Sequence, residues 1–138
     1  MLAVAAAVVV AGCSDPPEYR PAPGTLVSGT AHVTINGQDA GTTEAVDCDT
    51  TEWLTTITTG DQRAGVTAMV SNKDELTAET VTINNLGGFT GSYNGGLGGK
   101  ADVKMTDQTY EISGTADGFD TAQPSFRKSG TFAIKVSC

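Results

Sequence analysis

The chain has 138 residues, of which 16 are Asp or Glu and 8 are Lys or Arg, so its formal net charge at pH 7 is −8. This acidity, without any basic stripe, argues against nucleic acid as a partner, because phosphate backbones would be repelled. Anionic lipid headgroups would be repelled as well, so we expect no peripheral electrostatic binding to a membrane. At this length the chain holds one domain with one modest core.

The first twelve residues form an apolar stretch without a charged side chain, and Cys13 follows it. The stretch is shorter than the roughly 20 apolar residues that cross a bilayer as a helix, and it has the length of a signal-peptide core. Val10-Ala11-Gly12-Cys13 resembles the lipobox of bacterial lipoproteins, in which cleavage precedes the cysteine and its sulfur carries a diacylglycerol. We therefore expect a signal peptide at residues 1–12 and a lipid on Cys13. No Lys or Arg precedes the cysteine, which indicates that the natural start lies upstream.

Residues 13–30 are predicted to form the lipidated cysteine and an extended tether. Four of the chain's five prolines fall in this segment, and prolines keep a chain stretched without regular hydrogen bonds. The polar, proline-rich sequence also disfavours the alternative that residues 1–12 are a buried core element, because such an element would not continue into it. We place the globular domain at residues 31–138.

From Ala31 onward, apolar and polar residues alternate with the period of two that is typical of half-buried strands. Val33 and Ile35 share a face with Ala31, and the Asn-Gly pair that follows favours a turn. Turn residues separate further strand-like segments, at residues 44–48, 52–59, 64–71, 78–85, 101–106, 110–116 and 130–138. Without a convincing amphipathic helix, the sequence predicts an all-β fold, either a small antiparallel β-sandwich or a partly open barrel.

Two cysteines remain in the domain once Cys13 is assigned to lipid. Cys48 shares a strand phase with Val46, and Cys138 shares one with Val136, so both thiols should point inward. An even pair of cysteines in an oxidising compartment favours one disulfide between them. Two unpaired buried thiols are the alternative.

A glycine-rich segment occupies residues 87–100. It does not match a P-loop, because Ala101 follows its lysine where Ser or Thr is required, and a strand pattern resumes where a helix should begin. We interpret the segment as a long mobile hairpin connection. Phe89, Tyr93 and Leu97 within it either pack onto the core or contact a partner.

The sequence offers no catalytic constellation. The only histidine, His32, lies on the expected polar face of the first strand, and no serine stands in a Gly-x-Ser-x-Gly elbow. One histidine and two disulfide-bonded sulfurs leave no zinc set. Two acidic groups lack the spacing of a calcium loop and are more simply solvated turns. We therefore expect no enzyme activity, no cofactor and no metal. The acidic groups are Asp47, Asp49 and Glu52, and Asp74, Glu75 and Glu79.

Three parts of the chain together carry a family resemblance: residues 33–37 followed by Cys48, residues 110–118, and Lys128 with residues 132–138. In combination they resemble the mycobacterial nineteen-kilodalton lipoprotein antigen family. The resemblance covers nearly the whole domain, although the middle of the chain departs from it. It implies an acylated, envelope-exposed protein whose lipidated N-terminus is sensed by host Toll-like receptors, and for which an adhesin role has been proposed.

Residue by residue, the resemblance carries over only Cys13 as the acyl acceptor and the Cys48–Cys138 disulfide. We therefore expect a monomeric lipoprotein of the cell envelope, held to the membrane by lipid, which displays a non-enzymatic β domain outside the cytoplasm. The alternative is an envelope carrier for a lipid or another small ligand, which needs a large apolar cavity. Hydrophobic residues make up 38% of the chain, and a small domain needs most of them for its own core.

Overall fold

The computed structural model describes residues 23–138 except residues 62 and 98, so the predictions for residues 1–22, including lipidation of Cys13, lie outside the described residues. Within that range the chain forms ten strands and no helix, and hence no helix that could span a membrane. The strands are β1 (Ala31–Ile35), β2 (Gln38–Thr43), β3 (Val46–Thr51), β4 (Leu54–Gly60), β5 (Gly65–Ser71), β6 (Thr77–Leu86), β7 (Phe89–Asn94), β8 (Ala101–Thr106), β9 (Thr109–Asp120) and β10 (Arg127–Ser137).

All ten strands belong to one antiparallel sheet. Nine of them follow the order β2-β1-β10-β9-β7-β6-β5-β4-β3, and β8 pairs with β9 beside this path. The sheet curls until its two edge strands, β2 and β3, approach each other, which makes a nearly closed barrel. Since β2 and β3 are consecutive in the chain, the segment between them crosses the remaining gap. The predicted all-β fold is confirmed, in its partly open barrel form.

The interior is filled by side chains, because the inward positions of alternating strands carry mainly Val, Ile and Ala. β1 shows the pattern clearly: Val33 and Ile35 are buried, whereas His32 and Thr34 between them are only half-buried. The outward positions carry many threonines, whose branched side chains suit a pleated surface. The buried apolar side chains are Ala31, Val33, Ile35, Ile57, Val66, Ala68, Val70, Ala78, Val81, Ile83, Phe89, Tyr110, Ile112, Ala116, Phe132, Ile134 and Val136.

The interpretation of residues 87–100 as one hairpin connection is wrong, because β7 lies within that segment. Phe89, only 1% exposed, turns its ring into the core. A Cβ at Gly91 would lie 2.7 Å from this ring, and one at Gly130 in β10 would lie 2.9 Å from it. These glycines therefore make room for an aromatic core residue. β2 was not predicted, because its residues are all exposed or half-buried and show no alternation of apolar residues.

One long strand, β9, holds the middle of the sheet together. Its Thr109–Gly114 half pairs with β8, and its Asp117–Asp120 end pairs with β7 on the same edge. Two glycines stand where these strands come closest. A Cβ at Gly114 would lie 2.0 Å from the carbonyl oxygen of Lys100, and one at Gly118 would lie 1.9 Å from that of Thr90. Both positions thus require glycine, because the Cβ of any other residue would clash with the neighbouring backbone and push the strands apart.

Candidate functional site

The chain reaches the barrel alongside the end of β10. The amide of Gly29 donates a hydrogen bond to the Ser137 carbonyl at 2.8 Å, and the Ser137 amide donates to the Thr30 carbonyl at 2.9 Å. The Leu26 amide donates to the Thr109 hydroxyl at 3.1 Å. The last residues of the predicted tether are therefore held against the domain, at the end where β9 begins and β10 ends.

The disulfide between Cys48 and Cys138 joins β3, one edge of the sheet, to the residue after β10, with a Cα–Cα distance of 6.0 Å. Cys48 is half-buried against the core, as its strand phase predicts. Cys138, which we expected to point inward, is exposed because β10 ends at Ser137. The bond spans a sequence separation of 90 residues, and it lies on the side of the barrel where the sheet does not close.

The unclosed side of the barrel contains a cavity of about 280 Å³, which we call the seam cavity. Val33, Ala40 and Leu86 supply apolar wall, and the turn after β4 supplies the polar rim. Thr59 also lines this cavity, and its hydroxyl oxygen is buried without a hydrogen-bond partner among the described residues. The seam cavity is thus a small, mostly apolar hollow with one unsatisfied hydroxyl.

A larger cleft of about 900 Å³, which we call the sheet-face cleft, crosses the outer face of the barrel from β4 to β10. Its floor includes a row of hydroxyl side chains set directly opposite one another on neighbouring strands. The pairs run from Thr58 to Thr67, from Thr67 to Thr82, from Thr82 to Ser92, and from Ser92 to Asp117. This row of polar side chains runs across paired strands, whereas most of the lining surface of the cleft is apolar.

The sheet-face cleft ends beside β10, where Phe119 and Arg127 face each other across the β9–β10 pair. Phe119 is half-buried and Arg127 is exposed. Two smaller hollows adjoin this end, and both share Asp117 and Arg127 with the cleft. Among the described residues Arg127 has no ion-pair partner, whereas Asp117 accepts a hydrogen bond from the Ser129 hydroxyl at 2.9 Å.

The three residues considered for partner contact fall into different environments. Phe89 is part of the core, and Tyr93 packs against the core while remaining half-buried. Leu97 is 81% exposed, and it lines one of the hollows that adjoin the sheet-face cleft. Contact with a partner thus stays a prediction for Leu97, while Phe89 serves packing.

His32 lies on the outer face of β1, where its Nε2 is 3.0 Å from an Asp39 carboxylate oxygen. A hydrogen bond from the Gly41 amide, followed by that from His32, lowers the pKa of Asp39 below its ordinary value. No nucleophile of the described residues bonds to this histidine. Across residues 23–138, leaving aside positions 62 and 98, no three His, Cys, Asp or Glu side chains are grouped so that they could hold a metal ion.

Sequence reasoning missed the sheet-face cleft. The sequence did contain a sign of this cleft, namely threonines at the outward positions of consecutive strand-like segments. Their alignment into one row depends on strand register, which the sequence pattern alone did not supply.

Comparison with known proteins gives a consistent result. A family model described as the Mycobacterium 19 kDa lipoprotein antigen matches residues 24–138. A protein of Mycobacterium indicus pranii named as a lipoprotein is 37% identical over 137 residues, which is 99% of this chain and 94% of the relative. Lipoprotein LpqH of Mycobacterium tuberculosis is 32% identical over 107 residues, which is 77% of this chain and 67% of the relative.

Proposed function

The chain belongs to the Mycobacterium 19 kDa lipoprotein antigen family, and we propose that it is a lipid-anchored protein of the cell envelope whose barrel is a non-enzymatic display domain. Cys13 would carry the diacylglycerol through a thioether. Its acyl chains would then hold the protein to the membrane, because each buried CH₂ contributes about 0.8 kcal/mol and two or more chains anchor stably. The observation that carries the proposal is the lipobox-like Val10–Cys13 sequence ahead of a domain of this family.

The way the chain meets the barrel supports this arrangement. Residues 26–30 are hydrogen-bonded beside the end of β10 and the start of β9, so a lipid upstream would place that end of the barrel toward the membrane. The disulfide lies at the same end of β10 and fixes the C-terminal residue. The opposite ends of β9 and β10 would then face away from the bilayer.

We further propose that host Toll-like receptors sense the lipidated N-terminus and that the displayed domain acts as an adhesin. The contacts of the described residues fit a display role, since the lone histidine pairs only with an exposed carboxylate. Acidic surface charge also removes electrostatic attraction to the bilayer, which leaves the lipid as the means of attachment.

Replacement of Cys13 by Ala tests the anchor. We expect the variant to appear in the culture medium, while the parent stays with membranes after a carbonate wash. Because Cys13 takes no part in the disulfide, the variant should keep the thermal unfolding midpoint of the parent and lose its activity in a Toll-like receptor reporter assay. Ser14→Ala is the matched control and should behave as the parent does. Retention of Cys13→Ala in washed membranes would contradict the proposed anchor.

The seam cavity favours a second candidate function, a carrier for a small apolar ligand. Its apolar wall and the unpartnered Thr59 hydroxyl fit a short hydrocarbon with one polar group. The cavity is modest beside the 300–1,000 Å³ of typical ligand sites, and the rest of the interior is filled. Organic extraction of the purified Cys13→Ala chain followed by lipid mass spectrometry tests this candidate. A stoichiometric ligand that disappears in Ala40→Leu, which fills the cavity, would support it, and an empty extract would exclude it.

A further inference from the structure

We propose that the sheet-face cleft binds a neutral, extended oligosaccharide. This inference gives the displayed domain a ligand, but it does not depend on acylation of Cys13. It rests on the chemistry of the floor and on the character of the β10 end.

The floor of the cleft matches a ligand whose groups both donate and accept hydrogen bonds. Thr58, Thr67 and Thr82 are exposed, and their hydroxyls make no hydrogen bond to another described residue. A hydroxyl can donate one hydrogen bond and accept two, as the hydroxyls of a sugar also can. Neighbouring strands lie about 4.8 Å apart, so the row offers such groups at regular intervals along an extended chain of sugar units.

The β10 end adds to the hydroxyl row an aromatic side chain flanked by charges. Phe119 lines the cleft and is half-buried, so its orientation is restrained by its neighbours. The flat face of an aromatic ring can cover the C–H face of a sugar ring, while its edge excludes water. Asp117 and Arg127 beside it supply an acceptor and a fixed fork of donors.

Other ligand classes fit less well. The net charge of −8 disfavours nucleic acids and polyanions. A peptide that binds by strand addition requires a free sheet edge. The cleft instead lies on β4, β5, β6, β7, β9 and β10, each of which already pairs on both sides. A neutral chain with many hydroxyl groups is therefore the ligand class that matches both the floor and the β10 end of the cleft.

The position of the cleft favours access from outside the cell. Phe119 and Arg127 lie ten residues along the β9–β10 pair from Thr109 and Ser137, where residues 26–30 attach. At about 3.3 Å per strand residue this separates the two places by roughly 33 Å. A glycan at the β10 end of the cleft would therefore be far from the point where the chain leads toward Cys13.

The test uses the full chain with Cys13→Ala and follows backbone amide signals by NMR during titration. The probes are cellohexaose, maltohexaose and mannohexaose, with a hyaluronan hexasaccharide as the anionic probe and a synthetic peptide of residues 14–22 as the competing occupant. We expect at least one neutral hexaose to shift the amide signals of Thr82, Ser92 and Phe119 in a saturable way. Its dissociation constant should lie between micromolar and millimolar values, as expected for a shallow, open site.

Two variants should weaken that binding at least about tenfold. Thr82→Val keeps the shape and strand preference of the side chain but removes its hydroxyl, and Phe119→Ala removes the ring. Thr106→Val on β8 and Trp53→Ala in the exposed β3–β4 turn are the matched controls, since neither residue lines the cleft. Their binding should equal that of the parent.

Three results would overturn the proposal. The first is that none of the three neutral hexaoses gives a saturable shift. The second is that only hyaluronan or only the peptide gives shifts, and the third is that both Thr82→Val and Phe119→Ala bind as the parent does. None of these results bears on membrane attachment, because the test protein lacks Cys13. Failure of the lipid anchor would conversely leave the glycan titration unaffected. The two proposals are thus separable.

Discussion

The β9–β10 hairpin and the seam between β2 and β3 are both parts of one barrel wall, but they are closed by different means. The hairpin pairs without interruption from Arg127 and Phe119 to Ser137 and Thr109. At the seam the two edge strands do not pair. The Cys48–Cys138 disulfide holds that side.

Because β2 and β3 are consecutive in the chain, the difference lies in strand pairing and covalent closure, not in the sequence distance between the two edge strands. A hairpin joins neighbouring segments, so closing its loop costs little entropy and each hydrogen bond is gained locally. At the seam β2 and β3 do not pair, and the disulfide instead ties β3 to the residue after β10. Across a separation of 90 residues this bond restricts the unfolded chain more than one across a short loop would. Packing should therefore dominate the stability of the hairpin side, and the covalent bond that of the seam.

The largest loss should come from truncation of Phe89 on the hairpin side. Its ring is 1% exposed and fills the space over Gly91 and Gly130. Phe89→Ala should lower the free energy of unfolding by about 3–5 kcal/mol, because it removes the buried ring and leaves a cavity. Urea denaturation measures the loss, and hydrogen exchange should accelerate most in β7, β9 and β10.

Phe126→Ala is the matched control for that variant. Phe126 is 71% exposed in the loop between β9 and β10, so its truncation should change the free energy of unfolding by less than about 0.5 kcal/mol. Equal losses in the two variants would show that the ring of Phe89 does not hold the hairpin side together.

Removal of the disulfide should be the next largest effect and should act on the seam. Cys48→Ala with Cys138→Ala should cost about 2–5 kcal/mol, and the chain-entropy model sets roughly 4–5 kcal/mol as the upper end. Hydrogen exchange should accelerate first in β2 and β3, while β9 and β10 keep their protection. Reduction of the parent with a thiol reagent should reproduce the result without substitution. Uniform acceleration in all strands would contradict a separate role for the seam.

A smaller loss is expected from Gly130→Ala. The added Cβ would lie 2.9 Å from the ring of Phe89, and such overpacking costs about 1–3 kcal/mol. Phe89→Leu should relieve the contact, so the double variant should lose less stability than the sum of the two single variants. Additive losses in this double-mutant cycle would exclude direct contact as the cause.

The sequence predicted elements with strong alternation and missed those without it. The period-two pattern at Ala31 correctly located β1, and strand phase placed Cys48 against the core. β7 was missed because Gly91 indicates a loop locally, whereas tertiary packing against Phe89 makes it a strand residue. Local propensity could not reveal this, since the ring and Gly130 are distant in sequence.

The sheet-face cleft was unpredictable for a related reason. Thr58, Thr67 and Thr82 can be recognised individually as outward residues, but the sequence does not state which residues lie opposite one another. A register shift of one residue would turn each of them to the other face of its strand. The bulges between Met69 and Val70 and between Ile83 and Leu86 show how the true register departs from simple counting.

The smallest predicted effect concerns acid and the turn that borders the seam. The Asp61 carboxylate accepts hydrogen bonds from the amides of Ala64 at 2.9 Å and Arg63 at 2.8 Å, and these bonds lower its pKa below the ordinary value. Because the pKa is lower in the folded than in the unfolded protein, the carboxylate stabilises the fold fully above the unfolded pKa of about 3.9. This contribution is lost as the pH falls through the folded pKa.

Asp61→Asn should remove this pH-dependent contribution while its amide oxygen still accepts hydrogen bonds. At pH 7 the Asp61→Asn variant should be slightly less stable than the parent. Asp74→Asn is the control for the lost negative charge, and the loss in Asp61→Asn is measured against it. The difference should shrink as the pH falls below about 4, because the unfolded chain then binds a proton that the folded Asp61 carboxylate takes up only at a lower pH. Urea denaturation at several pH values measures the difference, and carbon NMR of the Asp61 carboxyl reports its titration directly. If the difference in the free energy of unfolding between the parent and Asp61→Asn instead grew as the pH falls, the predicted sign would be wrong. This turn would then be excluded as the acid-sensitive part of the seam.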